Sequence, residues 1–317
     1  MFCKSMGFYF MTGQEIVLVG APMDCGKARK GCLMGPDAYR TAGLANALTS
    51  LGHRVTDFGD VSADANDVEE REGLVNLSET IGWTSALMRT AEDAMAQGLP
   101  IFLGGDHALS LGTLPGVAKH AAKTDRPQFV LWLDAHSDFN TLDTTDSGNL
   151  HGTPLAYATG QRGFDEFPAL ETTVPTGHTC ILGLRSVDQP ERALMAKTDV
   201  RGYDMRAIDE SGVAALLLPF LDDVAQAGGA LHVSLDVDFI DPSHAPAVGT
   251  TVPGGATVRE AHLVMELLCD SGLMTSLDLV ELNPMLDERG RTAHLMVDLA
   301  ASALGRRIFD RPTPRLM

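Results

Sequence analysis

The chain has 317 residues, and 42 aspartates and glutamates outnumber 24 lysines and arginines to give a formal net charge of −18. This negative field repels phosphate backbones and anionic membranes, so we expect neither nucleic acid nor membrane as a partner, whereas a cationic substrate or bound metal ions would suit it. Hydrophobic residues make up 44 % and charged residues 21 % of the chain, which excludes a disordered protein and indicates a globular one with a large core.

Short runs rich in Val, Ile and Leu recur along the chain, each followed by Gly or Asp and then by a helical pattern. They predict eight strands, at residues 16–20, 54–58, 100–104, 129–134, 179–183, 200–204, 231–236 and 276–281. The intervening segments predict helices at residues 37–51, 74–97, 109–121, 207–227, 258–270 and 291–304. Because most strands are continuously apolar rather than alternating, we expect an α/β fold with a parallel sheet covered on both faces.

The organisation of the chain favours a single domain over residues 1–317. Residues 1–14 lack the apolar run of a signal peptide and are expected to form a flexible extension, and the segment at 309–317 is interpreted as a frayed tail. The five cysteines are widely spread and have no CxxC or zinc-finger spacing. This usage predicts no disulfide framework, and the simplest compartment is a reducing cytoplasm.

Polar motifs follow four of the predicted strands at the ends where parallel sheets bind their ligands. They are GGDH at 104–107, DAHSD at 134–138, DVD at 236–238, and Glu281. Side chains at alternate positions of an extended segment point the same way, so Asp134, His136 and Asp138 can face one point. Asp236 and Asp238 can do the same. We therefore expect these acids and His107 to converge on one edge of the sheet.

Four aspartates facing one cleft need cations, because burying them unpaired is costly. Two divalent metal ions would balance the four charges, and mixed His and Asp ligands favour Mn, Fe, Co or Zn over Mg or Ca. A lone DxHxD is also compatible with a helix cap or a solvated turn, but three complementary clusters are not expected by coincidence. The motifs lack the glycine and glutamate of an EF-hand loop, and neither a phosphate-binding GK[ST] nor a GxSxG occurs.

Six strings together resemble the ureohydrolase family, which includes arginases and agmatinases, and bacterial-type arginases in particular. The strings are GGDH at 104–107, DAHSDFNT at 134–141, SGNLHG at 147–152, GLRSVD at 183–188, SLDVDFIDP at 234–242 and LDLVELNP at 277–284. The resemblance spans about residues 16–305. It implies a three-layer α/β/α fold around an eight-stranded parallel sheet, and a site with two Mn²⁺ per chain that hydrolyses a guanidinium to urea.

The resemblance also assigns the metal ligands and the catalytic residues. His107 and Asp138 would be terminal ligands of one ion and His136 and Asp238 of the other, with Asp134 and Asp236 bridging both. A hydroxide between the ions would attack the substrate. Asp138 is counted both with the metal ligands and with the catalytic residues. His151 would be the proton shuttle that protonates the leaving amine, and Glu281 would hold the guanidinium.

The same resemblance indicates L-arginine as the substrate. The residues expected to hold its α-carboxylate and α-amino groups, or to line the loops around them, are Asn140, Thr145, Ser147, Asn149, Asp188, Glu191 and Thr250. The intact SGNLHG loop favours arginine over agmatine. Ser186 departs from the GLRDVD pattern, in which an aspartate stands at this position, and this difference is expected to alter affinity rather than the reaction class.

Two alternatives to an arginase remain open at this point. Within the enzyme class, an agmatinase or another guanidino-compound hydrolase is the second candidate. In a different class, a homologue that binds metal without catalysis is a further candidate, although no expected ligand is missing. The resemblance also implies a homo-oligomer, a trimer or a hexamer, but a single sequence contains no readable interface.

Overall fold

The eight strands form one all-parallel sheet in the computed structural model, which describes residues 13–308. The strands are β1 Glu15–Ala21, β2 Arg54–Asp60, β3 Leu99–Gly104, β4 Gln128–Leu133, β5 Thr179–Leu184, β6 Arg201–Asp204, β7 Ala230–Asp236 and β8 Met274–Val280. Their order across the sheet is β2-β1-β3-β8-β7-β4-β5-β6. All eight strands were expected from the sequence, with ends that differ by no more than a few residues.

The sheet is covered on both faces, as its apolar strands require. Alternate residues of β1 belong to two separate hydrophobic clusters, with Ile16 and Leu18 in one and Val17 and Val19 in the other. The inner strands β3, β4, β5 and β7 are buried along their whole length, whereas the edge strands β2 and β6 contain only exposed and half-buried residues. The predicted three-layer α/β/α fold is therefore confirmed, and continuous burial is confined to the inner strands.

Ten α-helices lie within residues 13–308. They are α1 Gly35–Thr41, α2 Leu44–Ser50, α3 Leu77–Met95, α4 Ser110–Lys123, α5 Pro154–Ala158, α6 Gln189–Met195, α7 Met205–Ser211, α8 Val213–Gln226, α9 Val258–Ser271 and α10 Arg291–Ala303. None of them is long and apolar enough to cross a membrane.

Two helices predicted from apolar periodicity are each divided in two by a glycine. Gly43 separates α1 from α2 with a φ of 88°, and Gly212 separates α7 from α8 with a φ of 77°. Helix geometry requires a negative φ, and glycine adopts these positive angles without the steric cost that other residues incur. The predictions at 37–51 and 207–227 were therefore wrong as continuous helices, although both segments are largely helical.

Two short helices, α5 and α6, were not expected from the sequence. Each has only five or seven residues, which is too short to show an apolar period. Of the expected N-terminal extension, only Gly13 and Gln14 are described, and the carbonyl of Gln14 accepts a hydrogen bond from Arg54 N. The rest of that extension and the tail at 309–317 lie outside the described residues.

The order of the strands positions the site. Strands β3, β8, β7 and β4 are neighbours in the middle of the sheet, and β5 lies beside β4. They are the strands followed by the GGDH motif, Glu281, the DVD motif, the DAHSD motif and the GLRSVD segment. Parallel pairing brings all five carboxyl ends to one edge, so residues more than a hundred positions apart in the chain meet there.

Candidate metal centre and adjoining pocket

Histidine and aspartate side chains from three strand ends form two overlapping groups. His107, Asp134 and Asp236 make up the first group, and Asp134, His136 and Asp238 the second. Within each group the ligand atoms lie within 4.8 Å of one another, which allows a single metal ion to contact all three. Asp134 belongs to both groups, so its two carboxylate oxygens can serve two ions.

The contacts around the two imidazoles define the groups more closely. Nδ1 of His107 lies 3.0 Å from carboxylate oxygens of Asp134 and Asp138 and 3.1 Å from one of Asp236. Nδ1 of His136 lies 3.0 Å from an oxygen of Asp238 and 3.3 Å from Asp134 Oδ1. All six residues that were predicted as metal ligands therefore meet at this edge, with Asp138 joined to the first group through His107.

The donor set fits divalent metal ions. Nδ1 of His107 is buried and makes no directed hydrogen bond, although three carboxylate oxygens surround it. An imidazole lone pair and several carboxylate oxygens aimed at one point are the arrangement expected of metal ligands. Mixed nitrogen and oxygen donors suit Mn, Fe, Co or Zn.

Electrostatics within the protein also favour added cations. Burial and the nearby Asp134 charge raise the pKa of Asp138 to about 7. Burial and the charges of Asp238 and Asp134 raise the pKa of Asp236 well above its usual range. Aspartates in these surroundings are difficult to ionise without a compensating positive charge. Metal ions bound between them would supply that charge.

Neighbouring groups hold the ligands in place. The indole Nε1 of Trp132 donates a hydrogen bond to Asp134 Oδ2 at 3.1 Å, and its ring stacks on His107 with centroids 4.1 Å apart. The other imidazole nitrogen of His107 lies 2.8 Å from the Ser234 hydroxyl oxygen. Hydrogen bonds of this kind fix the orientation and the tautomer of a ligating imidazole.

Two residues at this edge have left-handed backbone conformations that non-glycine residues rarely adopt. Asp138 has a φ of 47° and Glu281 a φ of 67°. The main chain of Glu281 is held there, since its N–H donates to the carbonyl of Gly105 at 2.8 Å. Such conformations persist when the surroundings impose them, and they are common at functional sites.

Glu281 lies next to the first histidine group and to His151. Its Oε1 accepts a hydrogen bond from His107 N at 2.9 Å and lies 2.9 Å from His151 Nδ1. Although burial opposes ionisation, the positive charges of Lys27 and His151 hold the pKa of Glu281 well below its usual range. Burial lowers the pKa of His151, but the Glu281 charge outweighs it and raises that pKa above its usual value. A cation-binding carboxylate and an imidazole able to carry a proton are thus adjacent.

A cavity of about 260 Å³ opens above these groups. All seven residues predicted to bind the substrate line it, together with Ser186 and His151. The seven are Asn140, Thr145, Ser147, Asn149, Asp188, Glu191 and Thr250. A larger cleft of about 880 Å³ near β6 contains none of the predicted site residues. The structure therefore brings the predicted residues together around one small, polar pocket.

Among these seven residues, Glu191 and Asp188 differ in the hydrogen bonds that their carboxylates make within the protein. Oε1 of Glu191 accepts hydrogen bonds from the Ser137 hydroxyl at 2.6 Å and Phe139 N at 3.0 Å, and Oε2 accepts one from Asp188 N at 2.8 Å. The side chain of Asp188 has a weaker contact, 3.4 Å from Asn140 Nδ2. Glu191 therefore fixes the loop, whereas Asp188 keeps acceptor capacity for a ligand.

Two further buried charged residues lie at the site: Lys27 was not anticipated from the sequence, and Asp106 belongs to the GGDH motif but was given no role. Lys27 is 2 % exposed and its ammonium contacts Glu281 Oε2. Asp106 is fully buried and its carboxylate accepts hydrogen bonds from Gly26 N at 2.8 Å and Ala108 N at 3.1 Å. The sequence did offer a signal for Lys27. Strand β1 ends at the same edge of the sheet as the recognised motifs, and the loop that follows it carries a lysine next to a glycine.

The fold and the site together define a class: an α/β protein with a central parallel sheet and a candidate two-metal centre at its carboxyl edge. The sequence profile of the Arginase family matches residues 14–305. An arginase of Brucella melitensis is 59 % identical over 93 % of this chain and 98 % of its own length, and an arginase of Bacillus subtilis is 39 % identical over 93 % and 99 %. The native structure of an arginase from Bacillus caldovelox superposes with a TM-score of 0.85 at 36 % identity, covering 93 % of this chain and all of that one. The chain belongs to the arginase family, as the sequence motifs predicted.

Proposed function

We propose that the protein hydrolyses L-arginine to L-ornithine and urea with two Mn²⁺ bound per chain. The observation that carries the proposal is the sharing of Asp134 between two His/Asp groups, with Glu281 and His151 directly beside them. Membership of the arginase family supports the same reaction. The covering of one continuous sheet by helices throughout residues 13–308 further supports a single catalytic domain.

The proposed metal ligands are His107 and Asp138 for one ion, His136 and Asp238 for the other, and Asp134 and Asp236 for both. When bound, divalent ions acidify water and so supply the nucleophile for the guanidinium carbon. The chain orients these ligands through Trp132 and Ser234. Family membership favours manganese among the metals that this mixture of nitrogen and oxygen donors suits.

Glu281 and His151 are proposed to act on the guanidinium itself. The carboxylate of Glu281 accepts hydrogen bonds from the guanidinium and orients its carbon toward the metal groups, a charge-assisted interaction. When the bond from that carbon to the side-chain nitrogen of arginine breaks, the departing amine needs a proton. His151 supplies it, because Glu281 at 2.9 Å favours the protonated imidazole.

The outer part of the cavity is proposed to recognise the amino-acid end of arginine. Asp188 accepts the positive α-amino group, and the neutral donors of Asn140, Thr145, Ser147, Asn149 and Thr250 receive the α-carboxylate directly or through water. Glu191 is proposed to contribute by holding the loop around Asp188. Ser186 lines the same cavity without a negative charge, so we expect it to adjust affinity for the α-amino group.

Urea release provides the test. The protein is stripped with a chelator, reloaded with Mn²⁺, and assayed in parallel with L-arginine, agmatine and 4-guanidinobutyrate. Manganese-dependent urea from arginine alone is the expected result. Urea from agmatine instead would show a different guanidino-compound hydrolase, and two bound metals with no urea from any substrate would indicate a non-catalytic homologue.

Two further expectations concern the molecule in the cell. Light scattering is expected to show a homo-oligomer, a trimer or a hexamer, and a monomer would contradict this. We also propose a cytoplasmic location. In its favour, none of the four cysteines within residues 13–308 forms a disulfide.

A further inference from the structure

A buried lysine forms an ion pair with the carboxylate that is proposed to bind the substrate. Lys27 follows β1 in the chain and is 2 % exposed, and its Nζ contacts Oε2 of Glu281, which is also 2 % exposed. Lysines are rarely buried to this extent without a charged partner. The ammonium of Lys27 therefore neutralises Glu281 from within the protein.

Both oxygens of Glu281 are engaged in this arrangement. Oε1 accepts a hydrogen bond from His107 N and contacts His151 Nδ1, each at 2.9 Å. Oε2 contacts the ammonium of Lys27, with the Cys32 thiol 3.8 Å away. An incoming guanidinium consequently meets a carboxylate in which each oxygen already has a partner.

The main chain on both sides of Lys27 is fixed. The carbonyl of Gly26 accepts hydrogen bonds from Leu150 N at 2.7 Å and His151 N at 3.0 Å, and Ala28 N donates to Asn149 Oδ1 at 3.1 Å. The loop that carries Lys27 is thus joined to the SGNLHG segment. With the main chain fixed in this way, the flexible four-carbon stem of Lys27 is the part through which the position of its ammonium can change.

The protein also leaves space for the ammonium. A Cβ atom added at Gly249 would lie 3.2 Å from Lys27 Nζ, closer than side chains normally approach. The absence of a side chain at Gly249 therefore accommodates the lysine head group. The loop after β1 thus holds Lys27 against Glu281, and the missing side chain at Gly249 leaves room for its ammonium.

We propose that Lys27 is a specificity-determining residue that competes with the substrate guanidinium for Glu281. The inference rests on the proposed function, because it assumes that Glu281 is where the guanidinium binds. Two cations on one buried carboxylate repel each other, so Lys27 leaves Oε2 when a guanidinium binds. A guanidinium offers a planar pair of donors to a carboxylate, whereas an ammonium offers a point charge, and this difference favours the exchange. Ligands with a single amine gain no such advantage.

Substitution of Lys27 separates this competition from a purely structural role. In Lys27→Met, we expect the KM for L-arginine to fall about tenfold while kcat changes less than about threefold, because a competing charge-assisted contact is removed. In Lys27→Arg, a guanidinium tethered to the chain competes more strongly, and the KM is expected to rise. The matched control is Lys30→Met in the same loop, where the ammonium contacts Asp24 and is largely exposed, and there the KM stays unchanged.

Binding of the guanidinium ion provides a measurement that is independent of turnover. Calorimetric titration of the manganese-loaded protein is expected to show tighter guanidinium binding by Lys27→Met than by the wild type, and weaker binding by Lys27→Arg. If the wild type releases no urea from arginine, the proposed function fails while this titration still judges the role of Lys27. Unchanged guanidinium affinity in both variants, or a loss of kcat at constant KM, would overturn the proposal.

Discussion

A group of four buried aspartates and a single buried glutamate lie side by side at the same edge of the sheet, and their charges are neutralised differently. The first group comprises Asp134, Asp138, Asp236 and Asp238, and within residues 13–308 only histidines form ion pairs with them. The second is Glu281, which has the ammonium of Lys27 on one oxygen and His151 near the other. The four aspartates therefore have no lysine or arginine partner within residues 13–308 and would be balanced by cations from outside the chain, whereas Glu281 has a cation of the chain itself.

This difference indicates what each group is suited to bind. Aspartates held rigidly around two imidazoles present converging oxygen and nitrogen donors, as metal ions require. A single carboxylate paired with a flexible lysine can exchange one organic cation for another. The two are linked through His107, whose side chain contacts Asp134, Asp138 and Asp236 and whose N–H donates to Glu281.

The largest effect is expected when the metal group is broken. Asp134→Asn removes the charge that the two His/Asp groups share. The manganese content, measured by mass spectrometry, is therefore expected to fall and urea release to drop more than about 100-fold. Reloading the wild type with Mn²⁺ is expected to raise its Tm by about 5–10 °C, with little change in the variant. The control is Asp37→Asn on the surface of α1, which is expected to retain both properties. A fully loaded, active Asp134→Asn protein would refute the shared-ligand role.

A smaller and separate effect is expected at Glu281. Glu281→Gln keeps the shape of the side chain but removes the charge that attracts a guanidinium, so urea release is expected to fall about 10- to 100-fold. Because Glu281 is not among the proposed ligands, manganese content is expected to remain that of the wild type. Loss of metal in this variant would show that the two groups are one functional unit.

A third test concerns the outer cavity. Asp188→Ala is expected to raise the KM for L-arginine about tenfold, because an acceptor for the α-amino group is lost. Any activity toward agmatine, which lacks the α-amino and α-carboxylate groups, is expected to stay the same. Asp188→Asn serves as a control, because asparagine can still cap α6 but lacks the negative charge. Equal losses with both substrates would contradict the recognition role.

The smallest effect is expected at a carboxylate that is neutralised by neither metal nor lysine. Asp241 accepts hydrogen bonds from Ser243 N, Gly254 N and Gly255 N, at 2.9, 2.7 and 3.1 Å. Hydrogen bonds to Ser243 and these backbone groups lower the pKa of Asp241 to about 2. The resulting stability is present above the ordinary pKa of an aspartate and is lost as the pH falls toward 2.

Thermal unfolding of Asp241→Asn across a pH series checks this sign. The variant is expected to be less stable than the wild type above about pH 4, by under about 1 kcal/mol, since the carboxylate is solvent-screened. The difference is expected to shrink as the pH falls toward 2. A difference that is independent of pH would show that the charge of Asp241 does not contribute.

The strands and the metal motifs were predictable from local patterns. Apolar runs identified all eight strands. The side chains of DAHSD and DVD meet as expected, but not through alternation along an extended segment. Residues 134–136 form a bend, Asp138 has a φ of 47°, and Val237–Phe239 is a 3-10 helix. The helix breaks at Gly43 and Gly212 were missed, because apolar periodicity continues through a residue whose φ is positive. The short helices α5 and α6 were missed because so few residues show no period.

By itself, the sequence determined the parallel α/β fold and the chemical character of the metal group, because strand burial and ligand type are properties of a few adjacent residues. Only the tertiary structure decided which charges neutralise each other. Lys27 and Glu281 are 254 positions apart, and they meet because β1, β3 and β8 are consecutive in the sheet. Coulomb and hydrogen-bond interactions depend on distance in space, which chain position does not specify. The Lys27–Glu281 pair, which distinguishes Glu281 from the four metal-site aspartates, is therefore visible only in the tertiary structure.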